Sequence, residues 1–124
     1  SPLRDRIITP GFVSDGELKW LYEHARCYVL PSESEGFGLP GLEAMAHGCP
    51  VASSDATCLP EVYADAAVYF DPHDVENIAH IVGGLLDSPV AQKQLVRLGK
   101  QRLTQYSWQT MTEQIHELMM RYCR

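Results

Sequence analysis

A chain of 124 residues, 45% of them apolar, is long enough for one hydrophobic core and short for two domains. Its formal charge of −6 leaves no basic footprint for nucleic acid. No apolar stretch approaches the length of a membrane span, and the opening Ser-Pro-Leu-Arg-Asp-Arg is no signal peptide.

In chain order, Arg6-Ile7-Ile8-Thr9 reads as a short strand that Pro10-Gly11 breaks. Ser14 and Glu17, three apart, form a capping box at a helix start. Leu18, Leu21, Tyr22 and Ala25 give that helix an apolar face. Cys27-Tyr28-Val29-Leu30 follows as a buried strand, so strand, helix and strand form a right-handed crossover. Pro50-Val51-Ala52-Ser53 reads as a third strand and Ala67-Val68-Tyr69-Phe70 as a fourth, with a helical turn at Pro60-Glu61-Val62-Tyr63 between them. A helix from about residue 74 to 87 carries Val75, Ile78, Ala79, Val82, Leu85 and Leu86 on one side. Ser88-Pro89 opens another, with Leu95, Leu98 and Leu103 as its buried stripe. Ser107 caps a last helix to about residue 122, with Ile115, Leu118, Met119 and Tyr122 facing inward. The four cysteines, Cys27, Cys49, Cys58 and Cys123, show neither a Cys-x-x-Cys pair nor zinc-site spacing. They read as free thiols of a reducing cytoplasm.

The stretch from Pro31 to Pro50 carries the chemistry. After the strand come Glu33, Glu35, Gly36, Gly38 and Gly41, with Phe37 and Leu39 among them. Pro40 suits the first position of a helix, where its missing N–H costs nothing. Leu42, Met45 and Ala46 recur at helical spacing, and Gly48 ends the run. Strand, glycine-rich loop and helix N-terminus together make a ligand site outside the carboxyl end of a parallel sheet. Unpaired N–H groups at the helix start suit a phosphate. Glu35 in the loop and Glu43, read as lying in the first helical turn, can each grip vicinal hydroxyls of a ribose or hexose. The glycines let the backbone approach a ligand where a Cβ would clash. From these features alone, a polyhydroxylated or phosphorylated ligand and a helix start that merely favours acidic residues are equal readings.

Glu35-Gly-Phe-Gly-Leu-Pro-Gly-Leu-Glu43 resembles the Glu-x7-Glu signature of the retaining group 1 glycosyltransferases, which have the GT-B fold. Pro31-Ser32, Ala44-Met-Ala-His-Gly-Cys-Pro-Val51, Pro60-Glu61-Val62, Asp65-Ala-Ala, Phe70-Asp71-Pro72 and Ser107-Trp108 continue the resemblance in order along nearly the whole chain. It implies an α/β fold: a Rossmann-like parallel sheet flanked by helices, the C-terminal half of a GT-B enzyme. Residues 1–124 would then be a single donor-binding domain, a fragment of a two-domain enzyme truncated on its N-terminal side and inactive alone.

By the same resemblance, Glu43 binds the ribose hydroxyls of a nucleotide diphosphate sugar. Glu35 is the catalytic candidate, close to the transferred sugar and facing the charge of an oxocarbenium-like transition state. Gly36 supplies a backbone angle, and the N–H groups of Phe37, Gly38 and Leu39 bond the donor sugar or its phosphate. Val13 lies against the nucleobase. Plainer readings stand beside these: a solvated carboxylate for Glu35, a plug on the core for Phe37, a core valine for Val13, a packing or surface residue for His47, and a buried ring for Trp108. The implied activity is hexosyl transfer, mannosyl transfer among the options, to a glycan or lipid-linked acceptor in polysaccharide biosynthesis. The setting is cytoplasmic or peripheral to a membrane, with no cofactor and no metal.

The acceptor would be held by an N-terminal domain absent from this chain. The basic pair that neutralises the donor diphosphate would also lie upstream; Arg4, Arg6 and Lys19 do not match it. Missing first strands would leave a sheet edge open to pairing with another copy. Two other classes remain open: a phosphorylase or synthase relative of the same fold, and a non-catalytic nucleotide-binding or assembly module.

Overall fold

A computed structural model describes residues 3–33, 38–104, 116–117 and 120–121. Three strands, β1 (Tyr28–Leu30), β2 (Val51–Ser54) and β3 (Ala67–Phe70), form a parallel sheet in the order β1-β2-β3. Val29 pairs with Ala52, and Ala52 with Val68, so one rung runs straight across the sheet. Five helices accompany it among the described residues: α1 (Asp15–His24), α2 (Leu39–Ala46), α3 (Leu59–Tyr63), α4 (Val75–Leu86) and α5 (Pro89–Thr104). None of these is long and apolar enough to cross a membrane.

Strand alternation sorts the core into two layers. Leu30, Val51 and Ala67 face a cluster with Tyr22, Leu42, Met45, Leu59, Val62 and Tyr63. Ala52 and Phe70 face the opposite cluster with Leu85 and Leu95, against which Val29, Val68, Ile78 and Val82 pack. Helices thus cover both faces of the sheet, as a parallel sheet requires, and the expected α/β architecture is present.

The helix ends follow the local chemistry. Ser14 Oγ accepts from the Glu17 N–H at 3.2 Å, and the Glu17 carboxylate accepts from the Ser14 N–H at 3.1 Å, completing the capping box. These bonds hold the Glu17 carboxyl below its ordinary range. Asp74 caps α4 through the Asn77 N–H at 3.0 Å, and Ser88 caps α5 through the Ala91 N–H at 3.1 Å. After α2, Gly48 takes φ 74° and the Cys49 N–H returns to the Ala44 carbonyl at 2.9 Å, an αL termination of the predicted kind.

Three expectations are corrected. Arg6–Thr9 is not a strand: Arg4–Arg6 form a 3-10 turn, and Ile7 and Ile8 are 68% and 83% exposed. An alternating apolar pair becomes a strand only beside a paired neighbour, and β1 pairs with β2 alone among the described residues. The connection through α1 is therefore no crossover. Cys58 is disulfide-bonded, whereas Cys27 and Cys49 are free thiols as expected. Folding brings Cys58 to a second cysteine, a proximity that spacing along the chain does not announce. Finally, Glu43 is the fifth residue of α2, not a first-turn residue, because the helix starts at Leu39 and Pro40 takes its second position. The helix predicted from Ser107 to about residue 122, with Trp108, lies largely outside the described residues; His116, Glu117, Met120 and Arg121 are helical.

Candidate donor site

The site sits at the carboxyl edge of the sheet, where the loops after β1, β2 and β3 emerge. His73 Nδ1 lies 3.4 Å from the Glu33 carboxylate, which brings the loop after β3 against the loop after β1. Gly38 caps α2 with φ 67° and ψ 29°, a left-handed conformation suited to glycine. Its carbonyl accepts the N–H groups of Gly41 at 3.1 Å and Leu42 at 3.3 Å. The N–H groups of Gly38 and Leu39 have no acceptor among the described residues, as expected of the opening turn of a helix.

Glu43 is exposed and opens on a cleft of about 390 Å³ between α1 and α2, lined also by Asp15, Leu18, Lys19, Tyr22 and His47. Tyr22 and Glu43 line this cleft together. Burial first, then the neighbouring Tyr28 and Glu43, pushes the Tyr22 phenol up to about 12, so it is neutral at ordinary pH. The His47 ring stacks on Tyr22 with centroids 5.6 Å apart and planes 13° apart, and its Nδ1 meets the Glu43 carbonyl at 2.8 Å. The Tyr28 ring meets Tyr22 edge-on at 5.7 Å. Glu43 is thus an exposed carboxylate beside the stacked rings of Tyr22 and His47, with Lys19 lining the same cleft.

Val13 is not in that cleft. It lines a second one, of about 300 Å³, with Ile8, Pro10, Glu17, Trp20 and Leu21 on the other flank of α1. Gly38 and Leu39 are placed together at the start of α2, one turn ahead of Glu43. Glu35, Gly36 and Phe37 lie outside the described residues. Among the described residues, no group of three His, Cys, Asp or Glu side chains could hold a metal ion.

The chain also holds neighbours of the site that motif reading passed over. Asp15, Leu18, Lys19 and Tyr22 recur at spacings of three, one and three, which places them on one face of α1; that face is the wall opposite Glu43. Tyr63 is buried beneath the start of α2 and donates its hydroxyl to the Gly38 carbonyl at 2.5 Å. A Cβ on Gly38 or Gly41 would run into this ring. These two glycines therefore make room for Tyr63 in the core.

Comparison with known proteins agrees with this architecture. The family model described as "Glycosyl transferases group 1" matches residues 2–102. O-antigen chain mannosyltransferase B of Escherichia coli is 47% identical over 105 residues, spanning 84% of this chain and 27% of that protein. The chain thus spans about a quarter of the length of this curated relative. The sucrose-phosphate synthase structure from Thermosynechococcus elongatus superposes with a TM-score of 0.80 at 28% identity, over 97% of this chain and 31% of that one. The C-terminal domain of a glycosyl transferase group 1 family protein from Francisella tularensis superposes with a TM-score of 0.73 at 30% identity, over 84% and 55% of the two chains. On a family match that covers most of its length, and on a sheet and helices shared with the C-terminal half of GT-B enzymes, the chain belongs to the group 1 glycosyltransferases.

Proposed function

We propose that this chain is the donor-binding part of a retaining hexosyltransferase that moves mannose from a nucleotide diphosphate sugar to a glycan or lipid-linked acceptor. The observation that carries the reading is Glu43: an exposed carboxylate beside Tyr22, opening on a cleft one turn behind the N–H groups of Gly38 and Leu39. A carboxylate so placed accepts from both hydroxyls of a ribose. Two N–H groups at the helix start meet the charge that gathers on a leaving diphosphate. Glu35 is assigned the hydroxyls of the transferred sugar and the positive charge of the transition state. Acceptor binding belongs to polypeptide beyond this chain, and no step in this reading needs a metal. The β1 edge, paired only with β2 among the described residues, is where that polypeptide or a second copy would add a strand.

Mannose is the first sugar to test because the E. coli relative is a mannosyltransferase. Likeness to a sucrose-phosphate synthase structure supports a glucosyl donor as the second reading. The test is calorimetry on the full-length protein with GDP-mannose, UDP-glucose and UDP-N-acetylglucosamine, repeated with Glu43→Ala. Binding of one donor, lost in the variant, supports the assignment and names the sugar nucleotide. If no nucleotide sugar binds, or the variant binds as the parent does, the donor-site reading is wrong and the assembly-module reading replaces it.

A further inference from the structure

Tyr63 lies outside every motif of the donor site, yet its hydroxyl reaches back 25 residues to the Gly38 carbonyl, at 2.5 Å. The ring is fully buried at the end of α3. It occupies the space that Cβ atoms on Gly38 and Gly41 would need, and Leu59 closes the same space with its Cδ2 2.8 Å from a Cβ built on Gly38. The tyrosine is itself held from behind. Arg102 of α5 donates to the carbonyls of Val62 and Glu61, both at 3.0 Å, and so fixes α3 to the longest described helix.

The consequence lies in the peptide that joins Gly38 to Leu39. A trans peptide is planar, and its C=O and N–H point in opposite directions. The Gly38 carbonyl is directed inward, to a buried hydroxyl. The Leu39 N–H of the same plane is therefore directed outward, at the first residue of α2, where Leu39 is exposed. A third donor on that carbonyl, beside the two helical N–H groups, also polarises the peptide and makes its N–H a stronger donor.

We propose that Tyr63 is a positioning residue, which fixes the Gly38–Leu39 peptide so that the Leu39 N–H is aimed at the distal phosphate of a nucleoside diphosphate donor. The inference rests on the donor-site reading above and adds a specific role to a core tyrosine. It also accounts for two glycines in this turn that do not face the cleft.

The experiment uses the full-length protein, with GDP and GMP as probes, and compares the parent with Tyr63→Phe, Glu43→Ala and a protein carrying p-aminophenylalanine at position 63. Phenylalanine keeps the ring and removes only the hydroxyl. It is expected to weaken GDP binding about tenfold, the order of one charge-assisted hydrogen bond, and to leave GMP unchanged. The amino variant restores a donor at the ring's tip and is expected to recover the GDP affinity. A Tyr63→Phe protein that melts earlier but binds both nucleotides as the parent does shows a purely structural tyrosine and overturns the proposal. Equal weakening of GDP and GMP overturns it as well, because that is general loosening of the site. Should Tyr63→Phe fail to fold, the amino variant decides: a GDP to GMP ratio that matches the parent supports the proposal, and one that collapses overturns it. If GDP does not bind the parent, or Glu43→Ala binds it equally well, the donor-site reading has failed first and this inference falls with it.

Discussion

Gly99 of α5 lies so close to Met45 of α2 that a Cβ on the glycine would sit 3.1 Å from Met45 Cγ and 3.2 Å from Met45 Cβ. This contact lets the two helices approach, and α2 is the helix that carries Gly38, Leu39 and Glu43. Gly99→Val should destabilise the protein by about 2–3 kcal/mol, because the added methyls overpack a closed interface. Gly99→Ala should be milder, since about 1 kcal/mol of helix propensity offsets part of the crowding. Urea unfolding of both variants checks this, and a valine variant within error of the parent would show that the helices separate freely.

Arg102 ties α3 to α5 through two backbone carbonyls, those of Val62 and Glu61. Arg102→Met keeps much of the aliphatic stem and removes both donors. A hydrogen bond from a charged group contributes about 1.5–3 kcal/mol; one of these bonds is part-buried and the other exposed, so a loss of about 2 kcal/mol for the pair is expected. Arg102→Lys should recover less than half of it, because an ammonium cannot span both carbonyls as the guanidinium fork does. Lysine matching arginine in urea unfolding would contradict the forked geometry.

These contacts also mark where the sequence was legible. Caps and periodicity are local, so the Ser14–Glu17 box, the Ser88 cap and the extent of α4 could be read from the chain. The order of strand, loop and helix was legible as well: β1 is followed by α2, as the pattern predicts. The Arg6–Thr9 strand failed because a strand is a pairing, and residue pattern cannot supply the partner. With Pro40 as the first helical position Glu43 is fourth and falls in the first turn; Leu39 holds that position, so Glu43 is fifth and falls just beyond it. Tyr63 and Arg102 act across 25 and 40 residues of sequence, and no local pattern signals a contact of that range. The opposite case is Tyr22: its apolar spacing was read, but the same helical face also carries Asp15 and Lys19, which made a cleft wall legible in principle.

Ala64 takes φ 51° and ψ −125°, a region that suits glycine and strains any residue with a Cβ. The turn is held in place because the Tyr69 hydroxyl donates to the Ala64 carbonyl at 2.5 Å, so the alanine cannot relax into a normal conformation. Ala64→Gly should therefore stabilise the fold by about 1 kcal/mol, the relief of strain exceeding the extra backbone entropy of glycine in the unfolded chain. A thermal melt that moves downward instead would show that this backbone carries no strain worth relieving.

Alkaline stability should report on the Glu43 wall. Burial holds the Tyr22 phenol at about 12, against an ordinary 10.0. The folded state keeps its proton while the unfolded chain releases one, so the contribution of Tyr22 is complete below pH 10 and is lost as pH rises toward 12. Burial also raises Cys49 from 9.0 to about 11, which begins the loss one unit earlier. The Tyr22→Phe variant keeps the ring that stacks on His47 and removes the ionisable hydroxyl. Its unfolding free energy should fall less steeply between pH 10 and 12 than that of the parent, while the two slopes agree near pH 8, where neither protein titrates at this position. The same variant removes a hydroxyl from the cleft that Glu43 lines and should weaken nucleotide binding at pH 8 several-fold, the order of a neutral hydrogen bond. Urea unfolding at three pH values and one calorimetric titration check both halves. Parallel slopes up to pH 12 would show that Tyr22 is not shielded from water, and unchanged binding at pH 8 would show that the Tyr22 hydroxyl contributes nothing to the site.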